Sequence, residues 1–284
     1  MEKETDDLNT VPQAPAQTET EAVPALETPS EEKRDFNSEL FSGGYSTSSL
    51  RSDECIFECR GVCKNYNNFP ALTNVTLRVP KGGVVGLLGP NGSGKTTLIK
   101  LAMGMLQPNS GEIAIDGKHI GVETKAVTAY LPDANYLCNW MKVEQQIDYY
   151  ADFFPDFNRM KCEQLLQRLG INLKQKIKSL SKGNKEKLGL LLTMSRDAKL
   201  FILDEPIAGV DPAAREFILD VIMSNKPADA TIFVCTHLIA DIEPILTHAV
   251  FLKNGQVVLD APVEEVRAKE GKSLDELFRE VFKW

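Results

Sequence analysis

The chain reads Gly89-Pro90-Asn91-Gly92-Ser93-Gly94-Lys95-Thr96 directly after the apolar run at residues 84–88. Glycines spaced in this way before Lys-Thr are typical of a loop that holds phosphate between a buried strand and a helix. The glycines let backbone amides curl around phosphate oxygens, and the helix N-terminus adds positive potential. We therefore predict a phosphate-binding loop, in which Lys95 reaches the outer phosphates and the Thr96 hydroxyl ligates magnesium.

Short apolar segments alternate with helix-like segments along most of the remaining chain. Apolar runs and alternation predict strands at 56–62, 71–79, 84–88, 111–115, 127–131, 200–203 and 231–235, and a hairpin of 249–253 with 256–259. Helical spacing predicts helices at 96–105, 143–153, 159–169, 182–194, 212–224, 263–269 and 274–282. This order indicates an α/β fold with a mostly parallel sheet covered on both faces and a helical insertion between 143 and 196.

Two acidic residues end one of the predicted buried strands. In the segment Leu200-Phe201-Ile202-Leu203-Asp204-Glu205-Pro206, four apolar residues precede Asp204 and Glu205. A carboxylate at the end of such a strand can hold the magnesium shell, and a second one can orient or deprotonate an attacking water. We expect Asp204 in the first role and Glu205 in the second.

The segment Leu180-Ser181-Lys182-Gly183-Asn184 precedes this strand, and Ser181 marks the start of a helix whose N-terminus is a second anion site. The three elements in this order resemble the nucleotide-binding subunit of an ATP-binding cassette (ABC) transporter. Residues 89–97 match its Walker A, 200–205 its Walker B and 180–184 its signature. The likeness covers about residues 54–259. It implies a P-loop NTPase-type ABC ATPase domain with a mixed sheet, an antiparallel β part and a helical subdomain.

The resemblance also implies roles for individual residues. Glu205, His237 and Lys95 would be catalytic, with His237 as the switch histidine. The ATP-binding set would be Tyr66, Gly89, Pro90, Asn91, Gly92, Ser93, Gly94, Lys95, Thr96, Thr97, Ser181, Gly183 and Asp211. Tyr66 would stack on adenine, and Asp211 would belong to the D-loop at 208–211. Each ATP would lie between the Walker A of one subunit and the signature of another, in a head-to-tail homodimer or heterodimer.

Two positions depart from the family pattern. The signature has Lys182 and Asn184 where the family usually has glycine and glutamine, but it keeps Ser181 and Gly183. Asp133 stands where the family has a glutamine, so a carboxylate replaces an uncharged amide near the metal. The expected magnesium ligands are therefore Thr96, Asp204 and Asp133. The alternative for Asp133 is that it points into solvent and caps the following turn.

The first 50 residues differ in composition from the rest of the chain. They hold 11 acidic and 3 basic side chains, whereas all 284 residues hold 40 and 32. The rest therefore carries 29 of each, and the net charge of −8 belongs to this segment. Few apolar residues predict a disordered acidic tail at 1–50, with a docking motif near 36–41 as the alternative. The other predicted domains are an ATPase domain at 51–262, with a helical subdomain at about 134–196, and C-terminal helices at 263–284.

Composition also argues against several classes of protein. No apolar run approaches the roughly 18 residues that cross a bilayer. The acidic net charge disfavours the broad basic face of nucleic-acid-binding proteins and leaves only a local basic patch open, so no direct nucleic-acid partner is expected. Six cysteines without an export signal suit a reducing compartment. Cys55, Cys59 and Cys63 recur every four residues, but packing of Cys55 and Cys59 on one strand face is a better explanation than a metal site.

We expect an ATPase subunit that lies in the cytoplasm, on the inner face of the membrane, and drives export through a separate integral membrane permease. Only 47 residues follow His237, and Tyr130-Leu131-Pro132-Asp133 with the basic signature resembles bacterial antibiotic or multidrug exporters. Tyr136, Leu137 and Trp140 fit either a groove for the permease or the core.

Two other functions remain as alternatives. One is a soluble ABC-type ATPase that acts on a ribosome or a nucleic-acid complex without a permease. A single compact cassette argues against it. The other is a regulatory module that binds nucleotide without hydrolysing it. The presence of Lys95, Glu205 and His237 argues against that module.

Overall fold

The computed structural model describes residues 50–283, so nearly all of the predicted acidic tail lies outside the described residues. The strands of this part are β1 (Cys55–Tyr66), β2 (Phe69–Pro80), β3 (Val84–Leu88), β4 (Ser110–Ile115), β5 (Lys118–His119), β6 (Thr128–Leu131), β7 (Leu200–Asp204), β8 (Thr231–Thr236), β9 (His248–Lys253) and β10 (Gln256–Pro262). The helices are α1 (Lys95–Ala102), α2 (Val122–Ala126), α3 (Val143–Phe153), α4 (Arg159–Arg168), α5 (Lys182–Met194), α6 (Pro212–Asn225), α7 (Ile239–Ile242), α8 (Val263–Glu270) and α9 (Leu274–Val281).

A six-stranded sheet forms the centre, in the order β10-β9-β3-β8-β7-β6. The strands from β9 to β6 pair in parallel, and β10 pairs antiparallel with β9. Val84 and Leu88 of β3 belong to one hydrophobic core, whereas Val85 and Leu87 belong to a second. Both faces of the sheet are therefore covered, which explains the continuous apolar runs in the sequence. The predicted α/β fold with a mostly parallel sheet is confirmed.

Parallel pairing brings the carboxyl ends of three strands to one edge of this sheet. Leu88 of β3 pairs with Thr236 of β8, and Asp204 of β7 pairs with Cys235 of β8. The phosphate loop follows β3, Asp204 ends β7, and His237 follows β8. These segments consequently emerge side by side, at the edge where open α/β sheets bind ligands.

The second sheet is antiparallel, in the order β2-β1-β4-β5. It packs against the central sheet, with the ring centroid of Phe57 5.6 Å from that of Phe233 in β8. Cys55 and Cys59 are buried in the same strand, β1. Their burial confirms the packing interpretation of these two cysteines. The antiparallel β part implied by the resemblance is also confirmed.

Three helices, α3 to α5, lie along the chain between the edge strand β6 and its neighbour β7. Their apolar stripes join one core, to which Val143, Ile147, Cys162, Leu166, Leu188 and Leu191 contribute. Helix α1 is shorter than predicted and ends at Ala102. The reason is Gly104, whose left-handed backbone (φ 65°) turns the chain away from the helix axis.

The C-terminal helices α8 and α9 pack back onto the rest of the chain. The ring of Phe251 in β9 lies 5.5 Å from that of Phe278 and 6.0 Å from that of Phe282. Across residues 50–283, every helix is too short or too polar to cross a bilayer.

Arg196 connects the helical segment to the edge of the central sheet. Its side chain is almost fully buried, and its Nε and Nη2 lie 3.0 Å from Asp156 Oδ1 and Oδ2. It also donates to the carbonyls of Thr128 at 2.7 Å and Ala126 at 2.8 Å, and it stacks on the ring of Phe154 at 4.1 Å. A planar guanidinium can make all these contacts at once, whereas an ammonium cannot.

We predict that Arg196→Ala lowers the free energy of unfolding by about 3 kcal/mol, because it leaves Asp156 and two carbonyls without their partner. The melting temperature should fall by roughly 10 °C. The matched control is Arg279→Ala, which breaks the exposed pair with Asp275 and should cost less than about 1 kcal/mol. Equal melting temperatures for the two variants would contradict the role given to Arg196.

Candidate functional site

The phosphate loop joins the end of β3 to the start of α1. Gly94 has a φ of 109°, and a Cβ there would lie 2.7 Å from the carbonyl oxygen of Ala71. A Cβ on Gly89 would lie 2.5 Å from the carbonyl oxygen of Leu252. Both positions therefore require glycine, and the backbone of the loop is fixed by the strands that surround it.

Lys95 is the buried cation of this loop. Its side chain folds back, and Nζ donates to the carbonyls of Gly89 at 2.7 Å and Pro90 at 3.1 Å. The hydroxyl of Ser93 is buried and has no hydrogen-bond partner among residues 50–283. A buried ammonium, an unpaired hydroxyl and a helix N-terminus on one loop form a donor set that fits a phosphate group.

Asp204 ends β7 next to this loop. It is 2% exposed, and its Oδ1 has no hydrogen-bond partner among residues 50–283. Burial is the main cause that raises the pKa of Asp204 to about 6; the charges of Asp133 and Glu205 act in the same direction, and Cys235 and Lys95 oppose them. A buried carboxylate oxygen without a partner is the kind of ligand that fits a hard divalent cation.

Glu205 is held in place by contacts that no sequence pattern predicts. Its backbone is left-handed, with a φ of 51°, and its N–H donates to the carbonyl of Cys235 at 2.8 Å. The Thr236 hydroxyl donates to Oε2 at 2.9 Å, and His237 Nδ1 lies 2.9 Å from Oε1. Both carboxylate oxygens are therefore positioned by residues from the end of β8. A carboxylate fixed in this way can orient a water molecule or accept its proton.

Asp133 lies on the same side of the molecule as these carboxylates. It is exposed and lines a cavity of about 180 Å³ together with Asp204, Glu205 and residues of α5. The following turn is capped by Asn135, whose Oδ1 accepts from the N–H of Leu137 at 3.0 Å. Among residues 50–283 no hydrogen bond from Asp133 caps this turn, its exposure agrees with a side chain in solvent, and its part in magnesium binding stays a prediction.

The signature residues lie at the start of α5. Ser181 is the N-cap, and its Oγ accepts from the N–H of Asn184 at 3.2 Å. A Cβ on Gly183 would meet no atom of residues 50–283 within 4 Å, so packing within this part of the chain does not require glycine there. No hydrogen bond or ion pair within the same residues joins Ser181 or Gly183 to the phosphate loop.

Two further predicted residues are Tyr66 and Asp211. Tyr66 ends β1 and is 44% exposed, with Lys64 Nζ 5.9 Å from its ring centroid. Asp211 is exposed directly before α6. The structure thus brings the phosphate loop, Asp204, Glu205 and His237 to one sheet edge, and it leaves the signature on a separate helix end.

Tyr136, Leu137 and Trp140, which fit either a groove for the permease or the core, differ in their burial. Leu137 is buried, and Tyr136 packs against the same core while its hydroxyl donates to the carbonyl of Gly189 at 3.0 Å. Trp140 is 72% exposed. The core interpretation therefore holds for Leu137 and Tyr136, and Trp140 lies outside the core.

Sequence reasoning missed Thr236 and Cys235. Cys235 is buried opposite Asp204 in the sheet, where its thiol lowers the pKa of that carboxyl. Thr236 holds Glu205, as described above. Their position directly before His237 was the available signal, because residues at the end of β8 must face those at the end of β7.

Comparison with known proteins agrees with this geometry. The family model described as ABC transporter matches residues 72–208. The uncharacterised ABC transporter ATP-binding protein YxlF of Bacillus subtilis is 30% identical over 215 residues, which cover 74% of this chain and 72% of YxlF. The lantibiotic transport ATP-binding protein SrtF of Streptococcus pyogenes is 27% identical and covers 78% of this chain and 96% of SrtF.

A solved structure described as the ATP-binding subunit of an ABC transporter has a TM-score of 0.72 and 31% identity. It covers 80% of this chain and 100% of its own. The fold and the site therefore define a P-loop ATPase of the cassette type. This chain belongs to the ATP-binding subunits of ABC transporters, which are ATP-hydrolysing enzymes, and the predicted family is confirmed.

The contact between Thr236 and Glu205 predicts a specific kinetic effect. We expect Thr236→Val to lower kcat for ATP hydrolysis about tenfold, because one carboxylate oxygen loses the hydroxyl that orients it. KM for ATP should change by less than about threefold, since the phosphate loop is untouched. Thr236→Ser keeps the hydroxyl and should retain most of the rate. Steady-state ATPase assays measure both constants, and an unchanged kcat in Thr236→Val would refute this positioning role.

Proposed function

We propose that this chain binds and hydrolyses MgATP at a subunit interface and thereby drives export through a separate membrane permease. The observation that carries the proposal is the cluster of Glu205, Thr236 and His237 beside the buried Lys95. The relatives support a transport role, because YxlF is described as an ABC transporter ATP-binding protein and SrtF as a lantibiotic transport protein. The likeness to SrtF favours export as the direction.

In this proposal the residues of the sheet edge divide the chemistry. Backbone amides of residues 89–97 and the ammonium of Lys95 hold the phosphates of ATP, and the ring of Tyr66 stacks on its adenine. Glu205 takes a proton from the attacking water, and Thr236 keeps the carboxylate in place. His237 binds the other oxygen of Glu205. Its half-exposed ring also leaves it able to contact the outer phosphate.

Magnesium fits the residues present at this edge. Asp204 offers a buried oxygen that no group in residues 50–283 satisfies, and Thr96 follows Lys95 in the first turn of α1. Asp133, which lines the same cavity as Asp204, would supply a third oxygen ligand. A bound magnesium ion neutralises phosphate charge in the transition state of phosphoryl transfer.

The proposed interface pairs the two separated halves of the site. Ser181 and Gly183 stand at the exposed start of α5, where backbone N–H groups point outward. Within residues 50–283 they make no hydrogen bond or ion pair with the phosphate loop of the same chain. A second subunit in head-to-tail orientation would bring its loop to this helix end, with Asp211 between the two sites. The pair is a homodimer or a heterodimer with another ABC ATPase.

The membrane partner of the proposal is an integral permease, which would hold the dimer at the inner face of the membrane. The similar solved structure, with a TM-score of 0.72, is described as a subunit, which implies other subunits in its transporter. The exposed Trp140, next to the segment that carries Asp133, offers an aromatic anchor of the kind that protein interfaces use.

Trapping the closed dimer tests the proposal. Glu205→Gln keeps the size of the side chain and leaves Asp204 in place, so MgATP should bind but hydrolysis should fall by about a hundredfold or more. Size-exclusion chromatography with MgATP should then show a stable dimer. The control is Lys95→Ala, which should abolish MgATP binding in calorimetry and leave the chain monomeric. A monomer with normal turnover in Glu205→Gln, or full affinity in Lys95→Ala, would disprove the assignment.

The assignment of Asp133 to the metal is tested separately. If Asp133 ligates magnesium, Asp133→Gln replaces an anionic ligand by a neutral amide. We expect the magnesium concentration for half-maximal hydrolysis to shift by about threefold or more, and stimulation by the reconstituted permease to weaken. Titration of magnesium against ATPase rate measures the first effect. Superimposable curves with equal stimulation would remove Asp133 from the site.

A further inference from the structure

The hairpin turn between β9 and β10 consists of Asn254 and Gly255. Lys253 and Gln256 pair on either side of it, and φ angles of 47° and 75° place both turn residues in the left-handed region. Asn-Gly is a common sequence for such a turn, because both central residues need a positive φ. The local geometry therefore explains the sequence of the turn, and the surroundings of Gly255 add a second constraint.

Hydrogen bonds attach this turn to the phosphate loop and to β2. The N–H of Gly255 donates to the carbonyl of Ser93 at 2.9 Å, and the carbonyl of Gly255 accepts from the N–H of Thr73 at 2.9 Å. Ser93 belongs to the phosphate loop, whereas Thr73 lies in β2. Both backbone groups of one turn residue are thus used to join the loop to a strand of the antiparallel sheet.

Gly255 and the phosphate loop also approach the same peptide of β2. A Cβ on Gly255 would lie 2.6 Å from the carbonyl oxygen of Ala71 and 3.0 Å from the Cα of Leu72. A Cβ on Gly94, in the loop, would lie 2.7 Å from that same carbonyl oxygen. Two glycines therefore approach one carbonyl group more closely than any side chain permits. A change in the position of Ala71 would consequently act on the loop at Gly94.

The C-terminal helix α9 supports the hairpin next to this turn. Lys253 Nζ donates to the carbonyl of Val281 at 2.7 Å and lies 5.6 Å from the ring centroid of Phe282. Lys253 directly precedes the turn, so the chain is held there by contacts outside the nucleotide site. An added Cβ at residue 255 should therefore displace the peptide of Ala71 and the loop, because the turn itself is fixed from the other side.

We propose that the Asn254-Gly255 turn positions the phosphate loop for MgATP, with Gly255 as the positioning residue. Its N–H fixes the carbonyl of Ser93, and its missing side chain lets the carbonyl of Ala71 lie close to the loop. The backbone N–H groups of the loop then have the arrangement that holds phosphate. This inference rests on the proposed function, because it requires that residues 89–97 bind the phosphates of ATP.

A second turn of the same backbone geometry provides a matched control. Asp116 and Gly117 form a two-residue turn between β4 and β5, with φ angles of 49° and 73°. A Cβ on Gly117 would meet no atom of residues 50–283 within 4 Å. Alanine at residue 117 therefore introduces the same backbone strain as alanine at residue 255, but without a close contact.

The experiment compares Gly255→Ala, Gly255→Asn and Gly117→Ala in the full chain. Asparagine tolerates a left-handed backbone but has a Cβ. The two changes at residue 255 therefore share the contact with Ala71 and differ in backbone strain. Calorimetry with the magnesium complex of a non-hydrolysable ATP analogue gives Kd, and steady-state ATPase assays give kcat and KM. Melting temperatures define a temperature at which every variant is folded.

We expect both changes at residue 255 to raise Kd and KM about tenfold, because displaced loop amides lose hydrogen bonds to phosphate. The kcat should fall by less than about threefold, since the strand ends that hold Glu205 are untouched. A merely structural role would reduce the amount of folded enzyme, which lowers the apparent kcat and leaves KM unchanged. Gly117→Ala should keep the Kd and KM of the unaltered chain.

Hydrogen exchange tests the same link without a substitution. Coupling between two sites is reciprocal, so the nucleotide complex should slow exchange of the Gly255 amide, which donates to Ser93. Exchange at Gly117 should stay unchanged. Protection of the amides of residues 89–97 without any change at Gly255 would overturn the proposal, even if the variants at residue 255 did not fold.

The outcomes that overturn the proposal are distinct from those that overturn the proposed function. An unchanged Kd in Gly255→Ala, or an equal loss in Gly117→Ala, would show that the turn does not position the loop. A normal Kd in Gly255→Asn would assign the loss to backbone strain instead of the contact with Ala71. These results leave MgATP binding and the Lys95→Ala effect intact, so only this inference fails. If the unaltered chain does not bind the nucleotide complex at all, the proposed function fails and this inference fails with it.

Discussion

The parallel pairing of β3, β8 and β7 is the constraint on which the site depends. Its register sets Leu88 beside Thr236 and Cys235 beside Asp204, so that three loops with no sequence proximity begin at one edge. Shifting β7 by one residue would turn Asp204 toward the other core and move Glu205 away from the end of β8. The register is strongly specified, because all residues of these strands are buried between two hydrophobic cores.

Glu205 shows how this register stabilises a strained local backbone conformation. A left-handed backbone at a residue other than glycine costs about 1–3 kcal/mol, and Glu205 adopts it at a φ of 51°. The cost is offset by the backbone bond to Cys235 and by two contacts to the carboxylate from Thr236 and His237. The strained turn aims the side chain along the sheet edge, whereas Asp204, one residue earlier, stays buried beneath it. Adjacent acids thus have different surroundings, which separates their chemical roles.

Sequence alone predicted those parts of the fold and the site that depend on local pattern. The phosphate loop, the strand before Asp204 and the N-cap at Ser181 each follow from a few adjacent residues, and their family is confirmed. Contacts between segments were not predictable in the same way. The contact of the Thr236 hydroxyl with Glu205 follows only from the register of β8 against β7. The hydrogen bond from Arg196 to the carbonyl of Thr128 joins residues that are 68 positions apart. Likewise, burial of Leu137 and exposure of Trp140 follow from how the helical segment packs, since both residues are apolar.

Helix α5 connects the signature with the central sheet, because hydrogen bonds hold it against the segments that flank the edge strand β6. Near its start, Lys185 donates to Asn139, and near its middle the carbonyl of Gly189 accepts from Tyr136, so the loop after β6 is held against the helix. Just beyond its end, Arg196 binds the carbonyls of Ala126 and Thr128 around the start of β6. Its 13 residues span roughly 20 Å at 1.5 Å per residue. The helix that presents Ser181 and Gly183 therefore cannot shift relative to β6 without breaking contacts at one end, and the loop that carries Asp133 belongs to the same connected unit. One set of hydrogen bonds therefore fixes the position of both the signature and the loop that carries Asp133.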